Sequence, residues 1–465
     1  MKYIIYLFIL LTLFTVNSYS FFHISFSNFL STDEELHWIF RLVPILIGYG
    51  ILILIGFYLI RWVERKFKEN DHFFHQNILL RFLRFFALGH PEYQQIDVLP
   101  IKSNNLLPLQ ILNKKQKKST FSFKRRRKYF FEDLIYFLIY FLGIQFCLIV
   151  MGFYQEKIIT QPYKIINDKN MVKDGEFFKD AQFLVFANRL VALILSGIYI
   201  LINWKSLPIH VPPFYLHSFT SFSNILSSWC QYEALKYVNF PTQTVCKASK
   251  LIPTMIMGRI IRKCQYTMRE YILAFIVVFG ASLFFLSSSS QIKKLQFNNI
   301  IINKENNNNS LISGLLLMFG YLFFDSFTPN WQKKIFEKPP CLNICQMMFS
   351  INLFSVIFCL ISLLQQSTLF NSINFIFNHE NIFFFDCLFL SLGSAFGQIF
   401  ILMTVKRFGP VVLSLLMTIR QILSIFLSTF HFGHSINFFG FLGLFIVFTA
   451  IITNIYAKYR INRIK

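Results

Sequence analysis

Apolar runs of about 17–25 residues recur along this chain, each the length of a membrane-crossing helix, with polar or basic connections between them. Residues 3–16, YIIYLFILLTLFTV, stand between Lys2 and NSYS and have the make-up of a signal-peptide core or a short anchor (1–20). A first full span follows at about 39–61 and ends in RWVERKFK. The stretch 63–130 is polar, basic and weakly patterned, and reads as a cytosolic loop or partly disordered segment. Ten further spans are predicted near 131–153, 183–203, 213–235, 241–260, 271–288, 311–328, 345–365, 383–404, 408–430 and 437–457. The fold class is therefore an all-α membrane protein.

The ten spans divide five and five, 131–289 and 311–457, around the polar tract QIKKLQFNNIIINKENNNN. Each half carries a span with a Gln (Gln231; Gln398), a tight loop, a span with a central cation, and a Gly- and Phe-rich span. Five is an odd number, so the second half enters the membrane from the opposite face. That is the inverted-repeat plan of secondary transporters, whose sites lie at the repeat interface near the midplane.

Composition supports the membrane reading. Of 465 residues, 55% are hydrophobic, which excludes an ordinary soluble enzyme. The net charge of +23 is densest in KKQKKSTFSFKRRRK (114–128), directly before a span. A basic run there fixes topology by staying in the cytosol, and it meets anionic lipid headgroups rather than nucleic acid. Lys205, Arg259, Arg262, Lys263, Arg269, Lys333, Lys334, Lys338, Lys406, Arg407 and the tail 458–465 fall on the same side. The opposite turns at 366–382 and 431–436 carry no Lys or Arg. Asn308-Asn309-Ser310 is then a lumenal glycosylation sequon. The eight Cys show no metal-ligand spacing and read as packing residues; no metal, cofactor or catalytic residue is expected.

Candidate chemistry lies in the charges that hydrocarbon should exclude. Lys247 and Lys250 sit i and i+3 on one face of PTQTVCKASKLIPTMIMG, and Arg420 sits mid-span in VVLSLLMTIRQILSIFLS. A cation at that depth costs roughly 2.5–3.5 kcal/mol on insertion scales, so it needs a partner or a function. Three cations between two repeats suit a solute with several phosphate or sulfate groups, Arg gripping bidentately and Lys as a point charge. Gln421 and Gln243 lie on the same helices and add amide groups. Gln155 and Glu156 end the first core span and are placed to line or gate the site. Pro253 interrupts the backbone ladder one turn beyond Lys250. The alternative is structural pairing, with Glu233 and Asp325 as the acids within spans; Arg189 is read as a cation near a span end that snorkels.

SFSNILSSWCQYEALKYVNFPTQTVCKASKLIPTMIMGRII resembles the third-to-fourth-helix signature of the nucleotide-sugar transporter family. QEKIIT (155–160), FFDSFTPNWQ (323–332), LLMTIRQILSI (415–425) and the upstream ELHWIFRLVPILIGYGILILIGFYLIRW are similar to its branch that carries 3′-phosphoadenosine 5′-phosphosulfate (PAPS). The likeness covers 131–457, and 36–62 more loosely. It implies a ten-helix drug/metabolite-transporter fold of two inverted five-helix repeats, with one or two extra N-terminal helices. It implies a multi-pass Golgi exchanger moving PAPS into the lumen against adenosine 3′,5′-bisphosphate. The sequence leaves open whether the chain forms a homodimer. Tyr232, Trp331 and Gln332 are the candidates for adenine contact. A UDP- or GDP-sugar exchanger of the same fold is the nearest alternative, and a membrane-embedded transferase the next.

Overall fold

In a bilayer each backbone N–H and C=O must find its partner within its own segment, so long apolar runs become helices. The computed structural model describes, apart from single positions, residues 54–67, 78–89, 123–163, 175–234, 237–296, 308–338, 342–378, 381–431 and 440–450. The expected signal or anchor segment (1–20), the first part of the 39–61 span, most of the basic loop, the Asn-rich tract up to 307 and the tail 458–465 lie outside the described residues.

The described chain is helical, apart from an isolated bridge between Tyr163 and Glu176. Helix α1 covers 54–67, α2 Ile78–Leu88, α3 Phe123–Thr160, α4 Ala181–Ile202 and α5 Leu216–Ala234. Then come α6 (Phe240–Ala248), α7 (Leu251–Arg262), α8 (Met268–Gln296), α9 (Asn308–Phe336) and α10 (Ile344–Gln365). Helix α11 is Leu369–Asn378, α12 Asn381–Arg407, α13 Pro410–His431 and α14 Gly440–Ala450. Among the described residues, five segments are long and apolar enough to cross a membrane: Leu134–Thr160, Ala181–Ile202, Met268–Ser287, Ile344–Leu364 and Ile382–Arg407. Their outer faces are bare hydrocarbon, with Phe146, Phe153, Ile194, Ile198 and Phe275 among the exposed side chains.

Helix α5 is instead rich in polar residues that the bundle encloses. On α5, His217, Thr220, Ser221, Ser223, Ser227 and Glu233 are all buried. Ser223 donates to Phe324 O (2.8 Å) and receives Thr328 Oγ1 (3.1 Å), tying α5 to α9 through small side chains at that point. Small residues have the same effect elsewhere, as expected where helix backbones approach closely in a membrane. Gly393 and Gly397 of α12 seat against Cys147 of α3. Gly280 of α8 and Gly443 of α14 meet backbone to backbone, with fully buried Phe284 beside them.

The most extensive helix contacts are α5 with α9, α3 with α12, and α4 with α10 and α12; α7 packs on α9 and α13, and α10 on α5. Between α12 and α13 the chain turns at Gly409, whose φ of +93° suits glycine, and Pro410 then opens α13.

Part of the stretch expected as a loop is ordered helix. Helix α2, ILLRFLRFFAL, has an apolar face interrupted only by Arg81 and Arg84. It seats on the α4–α5 connection: Tyr215 N–H donates to Phe86 O (3.4 Å), and the Phe85 ring stands 5.5 Å from that of His210. Phe86 also meets Phe354 of α10. An 11-residue helix is marginal alone, so this one owes its order to that tertiary contact. Helix α3 likewise begins inside the basic run, at Phe123.

Candidate functional site

The expected span at 241–260 is two helices. Helix α6 ends at Ala248, Ser249 and Lys250 form a turn, and α7 starts at Leu251. The ladder tightens there: Ser249 N–H reaches Val245 O and Cys246 O (both 3.1 Å), and Lys250 N–H reaches only Lys247 O (3.4 Å). Pro253 explains the position of the break, since it lacks an N–H and is tolerated in the first turn of a helix but not inside one. The positive end of the α7 dipole thus falls beside the Lys250 side chain.

Lys250 does not stand alone. Its Nζ lies 3.1 Å from Asp325 Oδ2 on α9, and Tyr321, one turn earlier on α9, donates its hydroxyl to the same oxygen (3.4 Å). Pro329 sits one turn after Asp325 and removes the N–H that would have bonded the Asp325 carbonyl. Lys247 is half-buried and within electrostatic reach of Arg420, Asp325 and Lys250, yet makes no hydrogen bond or ion pair with a described residue. Arg420 on α13 is half-buried with Tyr321 in reach, and its Nε is enclosed without an acceptor. Gln421 Oε1 is likewise enclosed without a donor. Lys247 therefore links the Lys250–Asp325 pair to Arg420, and the three cations, from α6, the turn after it and α13, leave surplus positive charge and unused donors. Such an arrangement can hold an anion with more than one acidic oxygen.

The remaining predicted residues are distributed otherwise. Gln243 is buried and donates through Nε2 to Gln231 O (3.1 Å), fastening α6 to α5. Trp331 donates to Leu216 O (2.9 Å) and stacks on Phe327 at 5.5 Å, so it pins the end of α9 to the start of α5. Tyr232 is exposed, and Gln332 is buried beside Trp331. Gln155 and Glu156 sit in the last turns of α3, and neither side chain bonds to a described residue. Their neighbour Lys157 does: it pairs with Asp386 of α12 at 2.8 Å, and Tyr163 donates to the other side of the pair at 2.9 Å. Sequence reading missed this triad, although a lone Asp in the apolar run NIFFFDCLFL was the available signal.

Arg189 departs from the expected snorkelling position. It lies on the same face of α4 as buried Ala192 and Ser196, whereas Leu190, Ile194, Ile198 and Leu201 form the exposed face. It therefore turns into the bundle. A separate crevice of about 310 Å³ opens on the α8 side of α7, lined by Leu251, Met255, Arg262, Tyr266, Glu270 and Leu415 among others.

With this geometry in hand, comparison with known proteins is informative. Residues 136–458 match the model of the UAA transporter family. The chain is 46% identical over 428 residues to adenosine 3′-phospho 5′-phosphosulfate transporter 1 of Caenorhabditis elegans, covering 92% of this chain and 93% of the relative. It is 35% identical over 437 residues to the protein of the same name in Drosophila melanogaster (94% and 86% covered). It is also 35% identical, over 316 residues, to UDP-galactose/UDP-glucose transporter 5 of Arabidopsis thaliana (68% and 86% covered).

Proposed function

This chain belongs to the UAA transporter family, and on that premise we propose that it carries PAPS from cytosol to lumen across the Golgi membrane, by exchange with adenosine 3′,5′-bisphosphate. The observation that carries the reading is the gathering of Lys247, Arg420 and the Lys250–Asp325 pair within a bundle of membrane-length helices. A multiply charged nucleotide neutralises that surplus; a neutral or singly charged solute does not. The identity with relatives named for PAPS transport supports the same choice. The two substrates are the partners, together with the bilayer; the chain acts without nucleic acid, metal or cofactor, as a carrier rather than an enzyme, and as a homodimer.

The architecture we propose is ten helices in two inverted five-helix repeats, α3 to α8 and α9 to α14, with the helix containing α1 as an addition. Helices α6 and α7 count as one broken span, and α11 lies outside the repeat. Exchanging the repeats converts the α3–α12 contact into α9–α5 and the α4–α12 contact into α10–α5, both among the extensive contacts of the bundle. The α4–α10, α7–α13 and Gly280–Gly443 contacts map onto themselves. This pattern favours a pseudo-twofold axis passing beside the cation cluster. In that frame the basic loop and the C-terminal tail are cytosolic, and Lys157–Asp386 marks the lumenal side.

The test is uptake into proteoliposomes. Labelled PAPS should enter, and faster when the vesicles hold adenosine 3′,5′-bisphosphate, with UDP- and GDP-sugars competing weakly. Sugar-nucleotide uptake without PAPS uptake would replace this reading by the UDP-sugar alternative, which the Arabidopsis relative favours.

A further inference from the structure

We propose that Arg189 forms a second anion subsite, across the bundle from the Lys247–Lys250–Arg420 cluster, that reads the 3′-phosphate of the nucleotide. This rests on the PAPS reading above and assigns a role to a charge which that reading leaves unused. Arg189 makes no hydrogen bond or ion pair with any described residue, although it lies eight residues inside α4 and faces inward with Ala192 and Ser196. Its neighbourhood is polar but holds no carboxylate bonded to it. The Cys359 thiol of α10 is in electrostatic reach, and Asn188 next to it accepts from Ser391 of α12 at 3.0 Å. On α10, Asn352, Ser355 and Cys359 follow one another at helical spacing along one face, and Asn352 Oδ1 and Ser355 Oγ are buried without partners. A guanidinium with no partner among the described residues, on a helix packed against α10 and its unused polar atoms, is placed for a ligand that arrives with its own charge.

Depth fits as well. Helices α4 and α6 are separated by one crossing, α5, and so run in the same direction. At about 1.5 Å per residue, Arg189 and Lys250 lie about 12 and 15 Å from the same side, hence at nearly one level. Laterally they differ, since α4 packs on α10 and α12 whereas α7 packs on α9 and α13. A nucleotide with anionic groups on two separate ribose carbons engages both poles. A nucleotide sugar, with its charge confined to one diphosphate, engages only the triple cluster.

The experiment compares adenosine 3′,5′-bisphosphate with adenosine 5′-phosphate as competitors of labelled PAPS uptake by the full chain. In the wild type the bisphosphate should compete better by roughly tenfold, the scale of one charge-assisted bidentate contact. Arg189→Gln should erase that advantage while leaving competition by the monophosphate within about twofold, and Arg189→Lys should restore part of it. Nucleotide-induced stabilisation of the purified protein reads the same preference without transport. If Arg189→Gln does not yield folded protein, Arg189→Lys alone should still cut the bisphosphate advantage severalfold. An unchanged advantage in the variants, or an equal loss for both nucleotides, overturns the subsite and leaves the transport reading intact. Absence of PAPS uptake by the wild type overturns the transport reading itself.

Discussion

Lys250 Nζ rests 3.1 Å from Asp325 Oδ2, so the central cation of one half of the chain is held by an acid of the other half. The pair is only partly enclosed, with side-chain exposures of 17% and 29%, and Tyr321 adds a longer contact to the same oxygen. An ion pair with that much solvent access is weak enough for a substrate phosphate to displace. Asp325→Asn should therefore tighten nucleotide binding several-fold, because Lys250 no longer has an internal competitor, and should slow turnover as product leaves less readily. Binding isotherms set beside exchange rates decide the matter; weaker binding in the variant would assign Asp325 to the substrate contact instead.

Removing the cations has the opposite sign. Lys250→Ala and Arg420→Ala each delete a charge-assisted contact to the anion, which at 1.5–3 kcal/mol amounts to roughly a 10- to 100-fold loss of uptake. Both proteins should still insert, since each variant relieves the cost of a charge in hydrocarbon. Quantified uptake at matched protein levels tests this, and wild-type rates in both variants would refute the site.

At the opposite end of α3, the Lys157–Asp386–Tyr163 triad should be structural. Asp386 is buried and Lys157 is 27% exposed, so the orphaned ammonium in Asp386→Asn can still turn toward water. The expected destabilisation is about 1–2 kcal/mol, below that of a fully buried pair. Tyr163→Phe should cost about 1 kcal/mol. A thermal-unfolding cycle of the two single variants and the double variant should show coupling; strict additivity would mean the three groups do not act together.

Much of the bundle and the central cations were legible because both rest on strong physical signals. Runs of apolar residues set where helices cross, and a charge inside such a run stands out against its cost. What depends on the partner across the bundle was not legible. Gln243 and Trp331 have the right chemistry for a ligand, but one amide N–H of Gln243 and the indole N–H of Trp331 go to Gln231 O and Leu216 O, acceptors supplied by tertiary packing. Depth in the span alone makes Arg189 a snorkelling side chain; which face of α4 it shares decides where it points. Helix α2 was hidden in a basic stretch because it is short and ordered by its seat on Val211 and Pro213 rather than by its own propensity.

The contact between α8 and α14 admits no added volume. A Cβ on Gly443 would stand 2.6 Å from Gly280 O and 2.8 Å from Phe284 N, both backbone atoms that cannot swing aside. Gly443→Ala should lower stability by about 1–3 kcal/mol through overpacking. Thermal unfolding in detergent checks it, and an unchanged midpoint would show that the helices separate at no cost.

The seat of α2 should loosen in acid. His210 lies in the connection between α4 and α5, edge-on to Phe85 and tilted against Phe214, with its Nε2 3.2 Å from that of His217. Burial brings its pKa down to about 4, below the ordinary value of 6.5. The unfolded chain therefore takes up a proton first, and stability falls as pH drops from about 6.5 toward 4. Between pH 7 and 5.5 the loss should be about 1 kcal/mol. His210→Gln should flatten that slope in stability measured against pH, and a slope equal to the wild type's would place the titrating group elsewhere.

The interruption at Ser249 and Lys250 divides what would be one rod into two helices that can lean separately. Helix α7, 12 residues and about 18 Å long, would shift its far end by about 3 Å for a tilt of roughly 10°. That displacement matches the diameter of a water molecule, so a modest lean at this joint opens or shuts a water-width passage at the Arg262 end of α7 while the half bearing Lys247 stays put.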